Sequence, residues 1–185
     1  PKAAVDELQK IEDLARKTTK EIRHMLFTLR PLVLESQGLQ AALRSLSDKM
    51  KETFNQDVIV EIDERVLDNL EQTKQAVVFF IIEEAVNNAR KHAQAAHIFV
   101  RLKLIGEDLC FLEIQDDGIG FNPDAVEASY SDRGSLGMLN MRERTELVNG
   151  VLRVDSSQGS GTRIQVAIPL TDAAAEKLRR GRKSQ

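Results

Sequence analysis

The segment LEIQDDGIGF (residues 112–121) carries the first residues that could do chemistry: two aspartates and two glycines at the end of an alternating apolar pattern. In a strand over residues 109–116, alternation places Asp116 on the apolar face, toward the core. A buried carboxylate there needs a hydrogen-bond donor, and the glycines leave room for a ligand near the backbone. Alone, the segment allows a tight turn, a metal loop or a nucleotide pocket. An amine-bearing planar ligand would satisfy the inward acid, whereas Asp117 on the opposite face is expected to be solvated.

A second predicted strand, over residues 162–168, repeats this arrangement. Thr162 shares the inward face with Ile164 and Val166, and it directly follows the glycine-rich run GSG. For either glycine pair alone, a plain turn is the simpler interpretation. Together, the two strand ends place an inward hydroxyl and an inward carboxylate beside glycines, which favours a ligand site.

A predicted helix supplies a third group of polar residues, in the run EEAVNNARKHA. Glu84 and Asn88 are four residues apart and therefore share a face, and Lys91 and His92 follow three and four positions later. An amide oxygen, a carboxylate and a cation on one face can hold hydrated Mg²⁺ and a phosphate chain, since Mg²⁺ takes hard oxygen ligands and keeps waters. For the helix alone, a solvated polar face is the alternative.

Composition limits the class of protein. Of the 185 residues 42% are hydrophobic, which excludes a disordered chain. The longest apolar run, AVVFFII, is too short to cross a bilayer, and a net charge of −3 gives no general case for nucleic-acid binding. Cys110 lies in an apolar strand pattern and is expected to be a buried hydrophobe. Because the chain begins at Pro1, we expect it to be a fragment of a longer protein.

The elements that position these groups follow from periodicity and turn residues. The order indicates an α/β fold, an α+β two-layer sandwich with a mixed, largely antiparallel sheet and helices on one face. The predicted segments are helices over residues 5–30, 38–54, 71–93 and 138–150, strands over 57–63, 97–104, 108–115, 151–157 and 162–170, a long loop over 121–137, and a frayed helix or tail over 171–185.

Residues 5–30 carry apolar residues at alternating spacings of three and four, a seam typical of a coiled coil or bundle. The pattern favours self-association over an ordinary amphipathic helix. We therefore expect residues 1–34 to form a helical appendage, a long dimerisation helix that precedes a domain over residues 35–170. The segment 171–185 is basic, and a solubilising tail is a simpler interpretation than a nucleic-acid site.

Four segments together resemble a known family. EEAVNNARKHA, DDGIGF, GSLGM with MRER, and GSGT resemble, in this order, the N box and three glycine boxes of the nucleotide-binding fold shared by histidine kinases, DNA gyrase, Hsp90-type chaperones and MutL-type repair proteins. Each box alone is a weak signal, but four in order are a strong one. The run from GSLGM to VAIPL resembles more specifically the sensor histidine kinases that pair with LuxR-type response regulators. The resemblance covers about residues 5–170.

The resemblance implies ATP and Mg²⁺ as ligands. Asn88 would coordinate Mg²⁺, and Asp116 would accept a hydrogen bond from the adenine amino group with Thr162 supporting a water beside it. Residues 121–137 would form a lid over ATP, and Glu84 matches the glutamate that activates water in the ATPase members. The remaining implied nucleotide contacts are Lys91 and His92 at the phosphates, Gly118 and Gly120 at the adenine end, Gly134 and Gly137 near the phosphates, and Gly161 beside Thr162.

Residues 5–34 resemble the second helix of the dimerisation hairpin, whose phosphoacceptor histidine lies on the first helix before an acidic residue. His24 is followed by Met25 and matches no such box. We therefore expect the acceptor to lie outside this chain, so the chain alone would have no autokinase activity. The alternatives are an ATPase with Glu84 as base, or a dimerising module with vestigial nucleotide binding.

The expected partners are a second copy through residues 5–30 and a LuxR-type response regulator, with no nucleic acid. We expect the domain to be cytoplasmic, with membrane contact only through other parts of the parent protein.

Overall fold

The structure is a computed structural model that describes residues 31–123 and 133–182. It also describes scattered helical residues near the start: Glu7, Leu8, Lys10, Ile11, Glu12, Leu14 and Thr18. Most of the helix predicted over residues 5–30 lies outside the described residues, as do 124–132 of the predicted lid and 183–185 of the tail.

Helices and strands alternate along the described part of the chain. Their bounds are α1 Leu32–Phe54, β1 Asp57–Ile62, α2 Glu64–Asn69, α3 Gln72–Asn88, β2 His97–Ile105, β3 Leu109–Asp116, α4 Arg133–Leu147, β4 Val151–Ser156, β5 Thr162–Pro169 and α5 Asp172–Arg182. Helix α3 continues into a π-helical turn, Ala89–Ala93.

The five strands form one sheet in the order β1-β2-β3-β5-β4. The β1–β2 pair is parallel and the other three pairs are antiparallel. A parallel pair needs a crossover rather than a hairpin, and α2 and α3 provide it. The predicted mixed, largely antiparallel sheet with a helical layer is confirmed.

The core lies between the sheet and helices α1, α3 and α4. The AVVFFII run of α3 is largely buried because α3 contacts both α1 and α4 as well as β3. Cys110 is fully buried on the inward face of β3, and this burial raises the pKa of its thiol to about 12. The interpretation of Cys110 as a small buried hydrophobe is therefore confirmed.

The opposite face of the sheet carries a network of charges across neighbouring strands. The Arg101 guanidinium lies 3.4 Å from the Glu61 carboxylate and 3.1 Å from that of Glu113. Glu113 also accepts a hydrogen bond from the Gln165 amide at 3.1 Å and lies 3.8 Å from Arg163. Desolvation raises the pKa of Glu113, but these hydrogen bonds and charges outweigh it, so its pKa lies below the ordinary value.

Replacing Glu113 with alanine should lower the free energy of unfolding by about 1–2 kcal/mol at neutral pH, because the carboxylate accepts two hydrogen bonds, one of them from a cation. Since folding lowers the pKa of Glu113, its contribution is complete above the unfolded value of about 4.3 and fades as pH falls through the folded value. Urea unfolding at pH 7 and pH 3 measures this difference. Glu61→Ala is the matched control: Glu61 is 60% exposed and should cost little. Equal losses at Glu61 and Glu113, or a loss in Glu113→Ala that is as large at low pH as at neutral pH, would contradict this role.

Two helices differ from the sequence expectation. Helix α1 begins at Leu32, crosses the expected junction near residue 34, and breaks at Gly38, whose φ of 80° favours glycine. Helix α2 was not expected, because six residues are too short for a helical period; Asp63 caps it by accepting the Arg65 N–H.

The C-terminal segment is a packed helix over its described part. Ala174 and Ala175 of α5 are buried. The Arg179 guanidinium donates to the Asn149 side-chain oxygen at 2.5 Å, and the Lys177 ammonium lies 3.7 Å from the Asp108 carboxylate. These contacts attach the helix to the end of the fold where β3 begins and α4 ends.

Among the described residues, no helix combines the length and the apolar character that crossing a bilayer requires.

Candidate functional site

A cavity of about 250 Å³ lies between the C-terminal part of α3, the end of β3 and the start of β5. Each of these elements brings residues that the sequence singled out. Its walls consist of Ala85, Asn88, Ala89, His92, Ala93, Asp116, Gly120, Phe121, Met138, Thr162 and Ile164. The cavity is therefore mostly apolar, with a few polar groups at defined places, as small-molecule sites usually are.

Asp116 and Thr162 form the polar end of this cavity. They are partners across the β3–β5 pair, and both side chains are buried, at 7% and 9% exposure. Asp116 Oδ1 accepts the N–H groups of Gly118 at 3.0 Å and Thr162 at 3.3 Å. Within the described part of the chain, Oδ2 has no such donor. Because Asp116 lines the cavity, its second oxygen is available as an acceptor for a ligand.

Asn88 lies on the wall formed by α3. Its Nδ2 donates to Glu84 Oε1 at 3.2 Å, so its own amide oxygen remains the acceptor that can face a ligand. Glu84 is not among the residues that line the cavity. A Cβ at Gly137 would overlap Glu84 Oε1, so the first turns of α4 approach α3 closely only because residue 137 has no side chain.

The start of α4 differs from the prediction. The helix begins at Arg133, so residues 133–137 are helical, although a long loop was predicted over 121–137. The prediction was wrong here because two glycines and few apolar residues suggested a loop. Gly134 lies in the first turn of this helix, and Gly137 is buried against α3.

Three other glycines hold loops in close contact with the backbone. A Cβ at Gly118 would overlap the Ala93 carbonyl, and one at Gly161 would overlap that of Asp116. Gly120 has a φ of +63°, and a Cβ there would overlap the Ser157 carbonyl. Gly120 lines the cavity, whereas Gly118 and Gly161 lie outside its wall. The glycines of DDGIGF thus serve close packing of the loop around the cavity.

The two predicted phosphate contacts occupy different places. His92 is exposed but lines the cavity, whereas Lys91 is exposed and lies off its wall. Both belong to the π-helical turn, where the Ala93 carbonyl accepts the Ile119 N–H at 2.8 Å. This bond ties the glycine loop to the end of α3.

Asp117 is held in place rather than simply solvated. Its Oδ1 accepts the N–H groups of Ala96 at 2.7 Å and His97 at 2.9 Å, and its Oδ2 lies 2.8 Å from His97 Nδ1. Its pKa lies below the ordinary value, chiefly because of the hydrogen bond from the His97 N–H, although desolvation opposes the shift. Asp117 fixes the turn that leads into β2 and faces away from the cavity.

Several residues on or beside the cavity wall were missed in the sequence. Ala85 and Ala89 are four residues apart and share one helical face, with Asn88 beside it, so small residues spaced by one turn next to a polar residue were an available signal. Ser156 was also missed, although Leu152, Val154 and Ser156 alternate on the inward face of β4, opposite Val166, Ile164 and Thr162. Phe121 and Met138 carried no comparable pattern.

The oxygen groups on the cavity wall suit a cation that is held mainly by a bound small molecule and only in part by the protein. Within the described residues, no group of three or more His, Cys, Asp and Glu side chains could hold a metal ion. The Asn88 amide oxygen is a hard ligand on the cavity wall. A Mg²⁺ ion that keeps waters and takes phosphate oxygens needs few protein ligands, so these residues fit Mg²⁺ bound together with a nucleotide.

Curated relatives of this chain bear the names of sensor or sensor-like histidine kinases. The chain is 40% identical over 171 residues to an uncharacterized sensor-like histidine kinase of Chloroflexus aurantiacus, covering 92% of this chain and 29% of that protein. It is 31% identical to the sensor histidine kinase LiaS of Bacillus subtilis, covering 90% and 44%. It is 32% identical to the oxygen sensor histidine kinase NreB of Staphylococcus carnosus, covering 91% and 47%. The chain thus spans less than half the length of each of these relatives.

Solved structures share the fold at low sequence identity. The histidine kinase domain of a blue-light activated kinase of Erythrobacter litoralis superposes with a TM-score of 0.55 at 19% identity, covering 76% of this chain and 63% of that one. The histidine kinase AdeS of Acinetobacter baumannii gives 0.57 at 14%, covering 89% and 82%. Residues 73–172 match the family described as histidine kinase-, DNA gyrase B-, and HSP90-like ATPase. The match covers more than half of the chain and includes the cavity, so the chain belongs to this family.

Proposed function

We propose that the chain is the ATP-binding catalytic domain of a two-component sensor histidine kinase. It would bind ATP with Mg²⁺ in the cavity and present the γ-phosphate to a histidine on another segment of the parent protein, from which an aspartate of a response regulator receives it. One observation carries the proposal: buried Asp116, with a free acceptor oxygen, and Asn88 line the same cavity. They offer an amine acceptor and a hard cation ligand.

The residues would act by position and charge. Asp116 and Thr162 would bind the adenine edge, Asn88 would ligate Mg²⁺, and His92, with Lys91 beside it, would approach the phosphates. Mg²⁺, when bound, would neutralise charge on the phosphate chain. The protein forms no covalent intermediate of its own in this domain; its contribution is to align the phosphoryl group with the acceptor.

Replacing Asn88 with alanine should remove most of the Mg²⁺-dependent part of ATP affinity, a loss of about tenfold or more, because the wall loses its hard oxygen ligand. Calorimetric titration of ATP with and without Mg²⁺ measures this part directly. Asn87→Ala is the matched control, since Asn87 is the neighbouring asparagine of α3 and lies off the cavity wall. Unchanged Mg²⁺ dependence in Asn88→Ala, or the same loss in both variants, would refute the assigned role.

A hydrolytic ATPase with Glu84 as base is the second candidate. Glu84 Oε1 already accepts the Asn88 amide at 3.2 Å, and the carboxylate lies off the cavity wall, which favours a supporting role. Glu84→Gln discriminates between the two functions. In an ATPase, the Glu84→Gln chain should lose all ATP hydrolysis. In a kinase, the same substitution in the parent protein, which carries the acceptor histidine, should leave part of the phosphoryl transfer.

We also propose that the parent protein is a homodimer through residues 5–30. Leu8 and Ile11 of the predicted seam are helical and 65% and 60% exposed in the single chain, and Leu14 beside the seam is 65% exposed. Such side chains are normally covered by a partner helix. Sedimentation at high concentration should show a monomer–dimer equilibrium; a strict monomer would leave this segment as an appendage.

A LuxR-type partner regulator and a cytoplasmic location remain expectations from the resemblance. Vestigial nucleotide binding is disfavoured, because the polar groups are intact.

A further inference from the structure

Ser156 lies beside the polar end of the cavity without lining it. It is the last residue of edge strand β4 and the cross-strand partner of Thr162, which is in turn the partner of Asp116. Three strands thus bring Ser156, Thr162 and Asp116 into one row. Ser156 is half-buried and makes three hydrogen bonds, none of which the proposed function uses.

The three bonds determine which atom supplies each proton. The Phe121 N–H can only donate, and it donates to Ser156 Oγ at 2.9 Å. The Gly161 carbonyl can only accept, and Ser156 Oγ donates to it at 2.9 Å. A serine hydroxyl carries one proton, so none remains for the third contact, between Ser156 Oγ and Thr162 Oγ1 at 3.2 Å. Thr162 must therefore be the donor there.

The opposite assignment is less favourable. If Ser156 donated to Thr162, the carbonyl of buried Gly161 would lose its hydrogen bond from Ser156. Leaving a buried acceptor without a partner costs about 1–3 kcal/mol. With the proton of Thr162 committed to Ser156, Thr162 Oγ1 presents only lone pairs to the cavity.

We infer that Ser156 is a positioning residue that sets the hydrogen-bond polarity of Thr162, so that Asp116 and Thr162 both act as acceptors toward the nucleobase. Such an edge suits a base or a bound water that brings N–H or O–H donors. In the same orientation of the base, adenine presents an amine to these acceptors at the position where guanine presents an oxygen. The row would therefore select ATP over GTP. This inference deepens the proposed nucleotide site and rests on it.

The test compares ATP and GTP affinities of four chains by calorimetry. Ser156→Ala frees the Thr162 hydroxyl to rotate and donate to the guanine oxygen, so the ratio of ATP to GTP affinity should fall by about fivefold or more. Ser156→Thr keeps the hydroxyl on a strand residue and should restore the ratio. Ser157→Ala, next to it and exposed, is the matched control and should leave the ratio unchanged.

A double-mutant cycle with Thr162→Val tests whether Ser156 acts through Thr162. Ser156→Ala should cost several-fold in ATP affinity in the unmodified chain and almost nothing in the Thr162→Val background. Equal factors for ATP and GTP, or an equal loss in both backgrounds, would overturn the inference and leave Ser156 with a structural role.

Failure of the nucleotide site itself has a different signature. If the unmodified chain bound neither nucleotide, the proposed function would fail, and the inferred selectivity with it. If it bound ATP and Ser156→Ala left the preference intact, only the inference would fail.

Amide hydrogen exchange tests the row of Ser156, Thr162 and Asp116 without a ligand. The Phe121 N–H should exchange faster in Ser156→Ala than in Ser157→Ala. Equal exchange would contradict the assigned bonds.

Discussion

Replacing Asp116 with asparagine should lower ATP affinity by about a hundredfold or more while preserving the fold. The side chain keeps its shape, and an amide oxygen can still accept the N–H groups of Gly118 and Thr162 that Oδ1 now accepts. That arrangement turns the new NH₂ group toward the cavity. An acceptor is thereby replaced by a donor that faces the amine of the base, and a hydrogen bond to a charged group becomes an unfavourable contact.

Calorimetric titration of ATP and urea unfolding of the same variant separate binding from stability. Asp117→Asn is the matched control, because it makes the same change one residue later, on a side chain that faces the β2 turn. Its ATP affinity should stay within about threefold of the unmodified chain. An Asp116→Asn variant that binds ATP normally would remove Asp116 from base recognition, and one that fails to fold would show that the carboxylate itself is structural.

Replacing Gly120 with alanine should cost about 2–4 kcal/mol of folding free energy. The φ of +63° costs an L-residue about 1 kcal/mol. The added methyl group would also overlap the Ser157 carbonyl, a backbone atom that can move only if the loop after β4 moves. Overpacking of this kind costs about 1–3 kcal/mol, so the two effects add at one position.

Gly159→Ala separates these two causes. Gly159 has a φ of +85°, but nothing lies within 4 Å of an added Cβ. This variant should therefore lose only about 1 kcal/mol, the conformational part. Urea unfolding of both variants measures the difference. Equal costs at the two positions would mean that the Gly120 contact is relieved easily, and that the loop does not depend on close packing at Ser157.

Alternation in the strands was the most informative signal in the sequence. A period of two fixes the face of each side chain once a strand is placed. It correctly turned Asp116 and Thr162 inward, and the register then brought them side by side. For α3, apolar residues at spacings of three and four predicted a helix, and the structure confirms it.

The remaining parts of the site depend on contacts between distant segments. Gly137 is understood only from its contact with Glu84 on another helix, so the sequence suggested a loop where α4 begins. Ser156 follows the alternation of β4, but its importance comes from bonds to Phe121 and Gly161, which periodicity does not report. Gly118 was expected to lie at the adenine end of the ligand, whereas in the structure its Cα packs closely against the Ala93 carbonyl.

We propose that ATP occupies the cavity between α3 and the β3 and β5 strand ends. Amide NMR of the isotope-labelled chain during titration with ATP and Mg²⁺ tests this claim most directly, because it reports both binding and place. We expect saturable shifts concentrated at Gly118 and Thr162, whose N–H groups bind Asp116, and at the Asn88 side-chain amide. No shifts at millimolar ATP, or shifts confined to residues away from the cavity, would contradict the account.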